Sequence, residues 1–196
     1  MRKGERMVTL DKSWHLARGE NDGKVTEFEL QLWRVFYSFI RWQEECEKSI
    51  NGSRLTGNDI AVLHIIRMQD KPKSPFDVGR LLNRDDTFNI KYSIQKLLKL
   101  NLIEKVKINQ DVKTLYYQVT EQGKENTDLY TQIRKSILIE LFQQTSEIDL
   151  IVTAKTLSKI KSIYDEADRA VASSTNLRDH IGDQSHEKTS RPTKLK

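Results

Sequence analysis

The stretch "DDTFNIKYSIQKLLKLNLI", residues 85–103, places amide, phenol and ammonium groups on one side of a helical repeat. Ile90, Ile94, Leu97 and Leu98 recur at the spacing of a buried helix face. Phe88, Asn89, Lys91, Tyr92 and Lys96 fall on the other side, with Thr87 at its start. This set holds neither a nucleophile beside a base nor paired carboxylates, so it suits recognition better than bond-making. Its chemistry matches base edges. An Asn amide pairs bidentately with adenine, a Lys ammonium donates to guanine O6 or N7, and an apolar ring meets the thymine methyl.

Other chemistries find little footing. The histidines His15, His64, His180 and His186 are scattered, without the spacing of zinc ligands. Neither a phosphate-cradling glycine loop nor a nucleophile elbow is present. Asp85 and Asp86 read as a helix cap, not a catalytic pair. The expectation is a protein that is not an enzyme and takes no cofactor or metal. A single cysteine, Cys46, excludes an intramolecular disulfide and fits the reducing cytoplasm. A redox-sensing thiol needs exposure and a depressed pKa. The neighbours Glu44, Glu45 and Glu47 work against the thiolate, so packing is the favoured role for Cys46 and sensing the lesser one. The first residues lack the apolar core of a signal peptide, and no apolar run is long enough to span a bilayer, so no membrane partner is expected. The formal net charge of +5 permits an acidic partner without requiring one. Residues 52–123 carry twelve Lys/Arg against eight Asp/Glu, so most of that excess lies around the polar helix face.

The elements that must position this face follow from periodicity. Residues 26–50 predict a long helix with one stripe through Phe28, Leu32, Val35, Phe36, Phe39, Ile40 and Cys46 and a second through Leu30, Trp33, Tyr37 and Trp42. A helix apolar on two sides is buried on two sides, which suggests a subunit interface. "LTGNDIAVLHIIRMQ" predicts a helix opened by a capping box of Thr56 and Asp59. "KPKSPFDVGRLLN" predicts a short helix with Ser74 as N-cap and Pro75 at its first position. A helix N-terminus attracts anions, so Ser74 is a candidate phosphate contact. The stretch 85–103 supplies the next helix. After Asn101 the period becomes two. "IEKVKI" and "LYYQV", joined by a polar loop, predict a β-hairpin. Val106 and Ile108 share one face, and Lys105 and Lys107 take the other. Lys105, Lys107 and Lys113 are candidate phosphate contacts, although edge strands also use lysine against aggregation. Thr120 caps the helix "TEQGKENTDLYTQIRKSILIELFQQ", and "EIDLIVTAKTLSKIKSIYDEADRAV" predicts the last one.

The expected fold is mainly α with a small β-hairpin wing, a winged helix-turn-helix flanked by long dimerisation helices. Its parts are a mobile arm (1–24) with a short ordered piece near Trp14, a dimerisation helix (25–52) and a winged helix-turn-helix domain (53–123). C-terminal dimerisation helices (124–173) and a disordered tail (174–196) complete it. In such a module the second helix of the pair presents its N-terminal residues to the major groove.

Three stretches resemble the MarR family of bacterial transcription regulators over roughly residues 27–170. "LTGNDIAVLHII" is similar to the family's opening Leu-Thr and following helix. "DVGRLLNRDDTFNIKYSIQKLLKLNLIEK" resembles its helix-turn-helix, and "QDVKTLYYQVTEQGK" its wing and next helix. The long flanking helices match in position. The resemblance implies a homodimer on a pseudo-palindromic duplex, acting as a repressor that a small aromatic effector relieves. It places Asp111 at the wing tip, with Lys113 near the position of a groove-entering Arg. Lys lacks the planar guanidinium fork, so minor-groove reading would be mainly electrostatic. Phe88, Asn89 and Tyr92 replace the family's more usual small hydroxyls and Arg, which points to a different preferred operator. Trp33, Tyr37, Trp42 and His64, with Arg67 for a carboxylate, would line the effector pocket, the other reading of these side chains being core. Winged helices also serve as protein-interaction modules without sequence-specific DNA binding, and fold alone does not choose.

Overall fold

Capping side chains decide where several helices begin. The computed structural model describes residues 14–17, 22–52, 55–108 and 114–174. The expectations for a mobile N-terminal arm and a disordered tail fall largely outside these residues, as do Asp111 and Lys113 of the wing. Near Trp14 the chain makes a turn closed by Ala17 N–H on the Trp14 carbonyl (2.9 Å), and Thr26 Oγ1 donates to the Leu16 carbonyl (2.5 Å).

Helix α1 spans Asp22–Asn51 and α2 spans Gly57–Arg67. Thr56 caps α2 in a reciprocal box with Asp59, despite the shorter reach of Asp relative to Glu. The Gly57 N–H donates to Glu44 Oε1 of α1 (2.8 Å), tying the two helices at that end. Helix α3, Pro75–Leu82, opens on a second box between Ser74 and Asp77, and ends at Asn83, which takes the left-handed conformation (φ 55°). Helix α4, Thr87–Lys99, follows, then the antiparallel pair β1 (Ile103–Val106) and β2 (Tyr116–Val119), with Ile103 opposite Val119 and Lys105 opposite Tyr117. Lys73 exchanges backbone bonds with Tyr117 (2.9 Å each way), so the segment before α3 makes an isolated antiparallel bridge to β2 that the sequence reading lacked. The strands are shorter than the alternating runs. Ile108 lies beyond β1 and is 53% exposed, so the expected inward face of Val106 and Ile108 holds only in part.

The core lies among α2, α3, α4 and the hairpin. Ile60, Val62, Leu63 and Ile66 of α2 meet Val78 of α3, Ile90, Ile94 and Leu97 of α4, and Leu102, Ile103, Tyr117 and Val119. Fully burying an Ile or Leu contributes about 1.5–3 kcal/mol. The three α4 side chains therefore fix which side of that helix faces inward. Ile94→Ala would remove about 2–5 kcal/mol.

Helix α5, Glu121–Ile133, begins at Thr120, whose hydroxyl accepts from Gly123 N–H (3.0 Å). It packs on α1 through a polar seam where Asn126 Nδ2 donates to Glu47 Oε2 (3.1 Å), Glu47 being fully buried. The single helix expected from residue 120 to 144 is interrupted. Arg134–Ile139 takes the wider π-helical winding, and α6 is the short piece Glu140–Phe142. The chain divides into two compact units there, Met1–Leu138 and Ile139–Lys196. In the second, α7 runs over Glu147–Ser173, and none of its residues is buried. Among the described residues no helix is long and apolar enough to cross a membrane.

Candidate nucleic-acid interface

The N-terminal turns of α4 carry the polar face outward. Thr87, Phe88, Asn89, Lys91 and Tyr92 are all exposed, Phe88 to 80% and Tyr92 to 66%. Such exposure of large aromatics is the reverse of core behaviour, while Ile90, Ser93, Ile94 and Leu97 on the opposite side are buried. Lys107, just past β1, is also exposed. The structure thus presents the first two turns of α4, and at Lys107 an ammonium beyond β1, to solvent.

Three candidates take other places. Lys96 turns inward along α4, and its ammonium pairs with Asp59 Oδ2 at 2.7 Å, where Asp59 is 2% exposed. Burial pushes the Asp59 carboxyl up, but bonds from Lys96, Ser93 and Thr56 together outweigh it and leave the group below its ordinary range. Lys96 is therefore a brace between α2 and α4. Ser74 is also buried. Its hydroxyl accepts the Asp77 N–H (3.1 Å) and lies 2.7 Å from Asp77 Oδ2, so in this chain it is engaged as the cap of α3. Cys46 is 3% exposed. Burial first, and then Glu47, raise its thiol above the ordinary value, against a sensing role.

Of the proposed effector set, Trp33 and Tyr37 lie on α1, and His64 and Arg67 on α2. Trp33 and Tyr37 stand exposed on α1. The His64 ring lies against Tyr130 of α5, centroids 4.5 Å apart. Burial, and then Arg67, lower the His64 pKa. Arg67 spends its guanidinium on Thr127 Oγ1 (2.8 Å), Asp128 Oδ1 (3.0 Å) and Asp70 Oδ1 (3.3 Å), clamping α2 to α5. Arg67 also borders a mixed-charge cleft of about 550 Å³ with Lys71, Glu104, Gln118 and Lys124, and none of the aromatic candidates lines it. Among the described residues no group of His, Cys, Asp and Glu is arranged to hold a metal.

The sequence reading missed a network at the entry to α4. Arg84 grips Asp86 through Nε (3.1 Å) and Nη2 (2.6 Å), and reaches Asn58 Oδ1 on α2 with Nη1 (3.0 Å). Asn89 Nδ2 donates to the same Asp86 carboxylate (3.0 Å). The bonds from Arg84, then Asn89, hold Asp86 below the ordinary carboxylate range. The i, i+3 spacing of Asp86 and Asn89 is the sequence signal for this pairing, and the cap reading of Asp85 and Asp86 does not use it. Lys73 was missed as well. It is buried, and its ammonium binds the carbonyls of Ile66, Met68 and Lys71 at the end of α2, neutralising that helix terminus.

Residues 55–123 match the family model of a winged helix DNA-binding domain. No curated protein matches the chain by sequence. Solved structures do match by fold. FabT of Streptococcus pneumoniae, crystallised in complex with DNA, superposes with a TM-score of 0.59 at 16% identity, covering 73% of this chain and 99% of its own. A MarR/EmrR family transcriptional regulator from Acinetobacter sp. ADP1 gives 0.61 at 14%, covering 72% and 96%. The transcriptional regulator BldR from Sulfolobus solfataricus gives 0.58 at 14%, covering 74% and 98%. By fold, the chain is a winged helix protein built on the plan of the MarR-family transcription regulators.

Proposed function

We propose that this protein is a homodimeric MarR-type transcription regulator that binds pseudo-palindromic double-stranded DNA and represses the genes it sits on. The observation that carries the reading is the outward face of α4, where Thr87, Phe88, Asn89, Lys91 and Tyr92 are exposed on a helix anchored by Ile90, Ile94 and Leu97. The second helix of such a pair enters the major groove by its first turns. Asn89 is the adenine reader, Phe88 the thymine-methyl contact, and Lys91 and Tyr92 bind base edges or flanking phosphate. Lys107 and, from sequence alone, Asp111 and Lys113 belong to the wing. Fold likeness to FabT, crystallised with DNA, supports this reading. The second copy is supported by α1, where Trp33, Val35, Phe36, Tyr37 and Phe39 are each at least half exposed in the single chain. An apolar stripe of that size marks an interaction surface. Repression rests on the family resemblance. An effector pocket gains no support from the positions of Trp33, Tyr37, His64 and Arg67.

Selection of bound fragments from random duplexes tests the reading. A palindromic consensus is expected, with half-sites about one helical turn apart. Asn89→Ala should relax the preference at one pair per half-site at a cost of ~1–3 kcal/mol. Lys107→Ala should weaken all sequences alike and lower the salt slope by about one. Binding without any sequence preference would favour the protein-interaction module instead.

A further inference from the structure

Asp86 stands at the N-cap position of α4, yet its side chain makes no capping bond. Thr56, Ser74 and Thr120 all cap their helices with side-chain oxygens. Asp is among the best capping residues, so its diversion at the reading helix is a local rule set aside, a pattern expected at functional sites. Its oxygens go to Arg84 and to the Asn89 amide nitrogen (3.0 Å).

We infer that Arg84 and Asp86 are positioning residues that set the polarity of the Asn89 amide and so make it a reader of adenine. The inference rests on the DNA-binding reading above. Its logic is donor–acceptor arithmetic. A carboxylate only accepts, so the amide nitrogen of Asn89 must face Asp86, and the amide oxygen must face away. One Nδ2 hydrogen is spent there. The other hydrogen and Oδ1 then form a donor–acceptor pair for adenine N7 and N6–H. Without Asp86 the amide is free to turn over. Asp86 is itself fixed, because Arg84 holds both carboxylate oxygens and anchors on Asn58 of α2. The planar fork of Arg is what grips two oxygens at once, and Lys lacks it. The same pairing offsets the carboxylate charge where a DNA backbone would approach.

The test uses the full chain on the selected operator and on duplexes substituted at each half-site pair. Asp86→Asn and Arg84→Lys should each lose roughly tenfold in discrimination at the one pair that Asn89→Ala affects, the scale of one bidentate contact. Joining Asp86→Asn to Asn89→Ala should lose no more than Asn89→Ala alone, as expected for one unit. Asp86→Asn should leave affinity for random duplex unchanged or raised, because it removes a negative charge. A role in folding alone would lower both together. A second measurement needs no DNA: the Asn89 side-chain amide resonances should shift as the Asp86 carboxylate titrates, and lose that response in Asp86→Asn. If Asn89→Ala erases a preference that Asp86→Asn keeps, or if Asp86→Asn weakens all duplexes alike, the positioning role is overturned while the DNA reading stands. If the unaltered protein selects no sequence, both fall.

Discussion

Asp59 is a carboxylate almost without solvent, held by the Lys96 ammonium, Ser93 and the Thr56 cap. Its lowered pKa stabilises the fold at pH values above the ordinary carboxyl range, and that contribution is lost as pH falls through the folded value. Asp77 shares the direction, through its bonds to Ser74. Urea midpoints should therefore fall as pH drops from about 5 toward 3. Lys96→Ala should flatten this acid limb and cost about 1–3 kcal/mol at neutral pH, because a buried carboxylate loses its partner. An unaltered limb would remove the brace role. His64 acts in the next window. Burial keeps the folded ring neutral below its ordinary value of 6.5, so the unfolded chain takes up a proton first. Stability is fully present above that value and declines as pH falls from it toward the folded pKa. His64→Gln should remove this decline, measured as the thermal midpoint between pH 7 and 5. The residue types were visible in sequence. Their pairings were not, because Lys96 and Asp59 lie 37 residues apart and neither announces the other.

Caps and close approaches belong to the scale of elements. The boundaries at Thr56, Ser74 and Thr120 were legible because capping depends on three or four adjacent residues. Ser74→Ala should cost about 1 kcal/mol in chemical denaturation and leave the salt slope of DNA binding unchanged. A reduced slope would restore Ser74 to the phosphate contacts. Gly123, in the "TEQG" segment, sits where an added Cβ would run into the Leu102 backbone carbonyl and crowd Val119 Cβ at 3.3 Å. Gly123→Ala should therefore separate α5 from the β1 junction and cost about 1–3 kcal/mol, read by the same unfolding measurement. The break at Arg134–Ile139 escaped the periodicity because a π-helical turn adds one residue per turn without changing which residue types appear. Ile108 escaped for a similar reason: alternation marks a strand's faces but not where its pairing partner ends.

For the whole molecule, the exposed apolar stripe on α1 is the feature that the proposed homodimer would cover. Light scattering should give about twice the chain mass of 22.9 kDa. Phe36→Asp together with Phe39→Glu should shift that value toward the single-chain mass while the core around Ile60, Leu63 and Ile94 keeps its cooperative unfolding. A mass that stays at one chain before substitution would refute the homodimer. By itself the sequence determined the order of the main elements, the caps at Thr56, Ser74 and Thr120, and the outward face of α4, because these depend on spacing within a turn or two of chain. Only the tertiary structure decided which polar groups are spent inside. Lys96 and Arg67 became braces, and Asp86 the partner of Asn89. Periodicity tells a side chain which way to point, but the group that meets it is set by how distant segments pack.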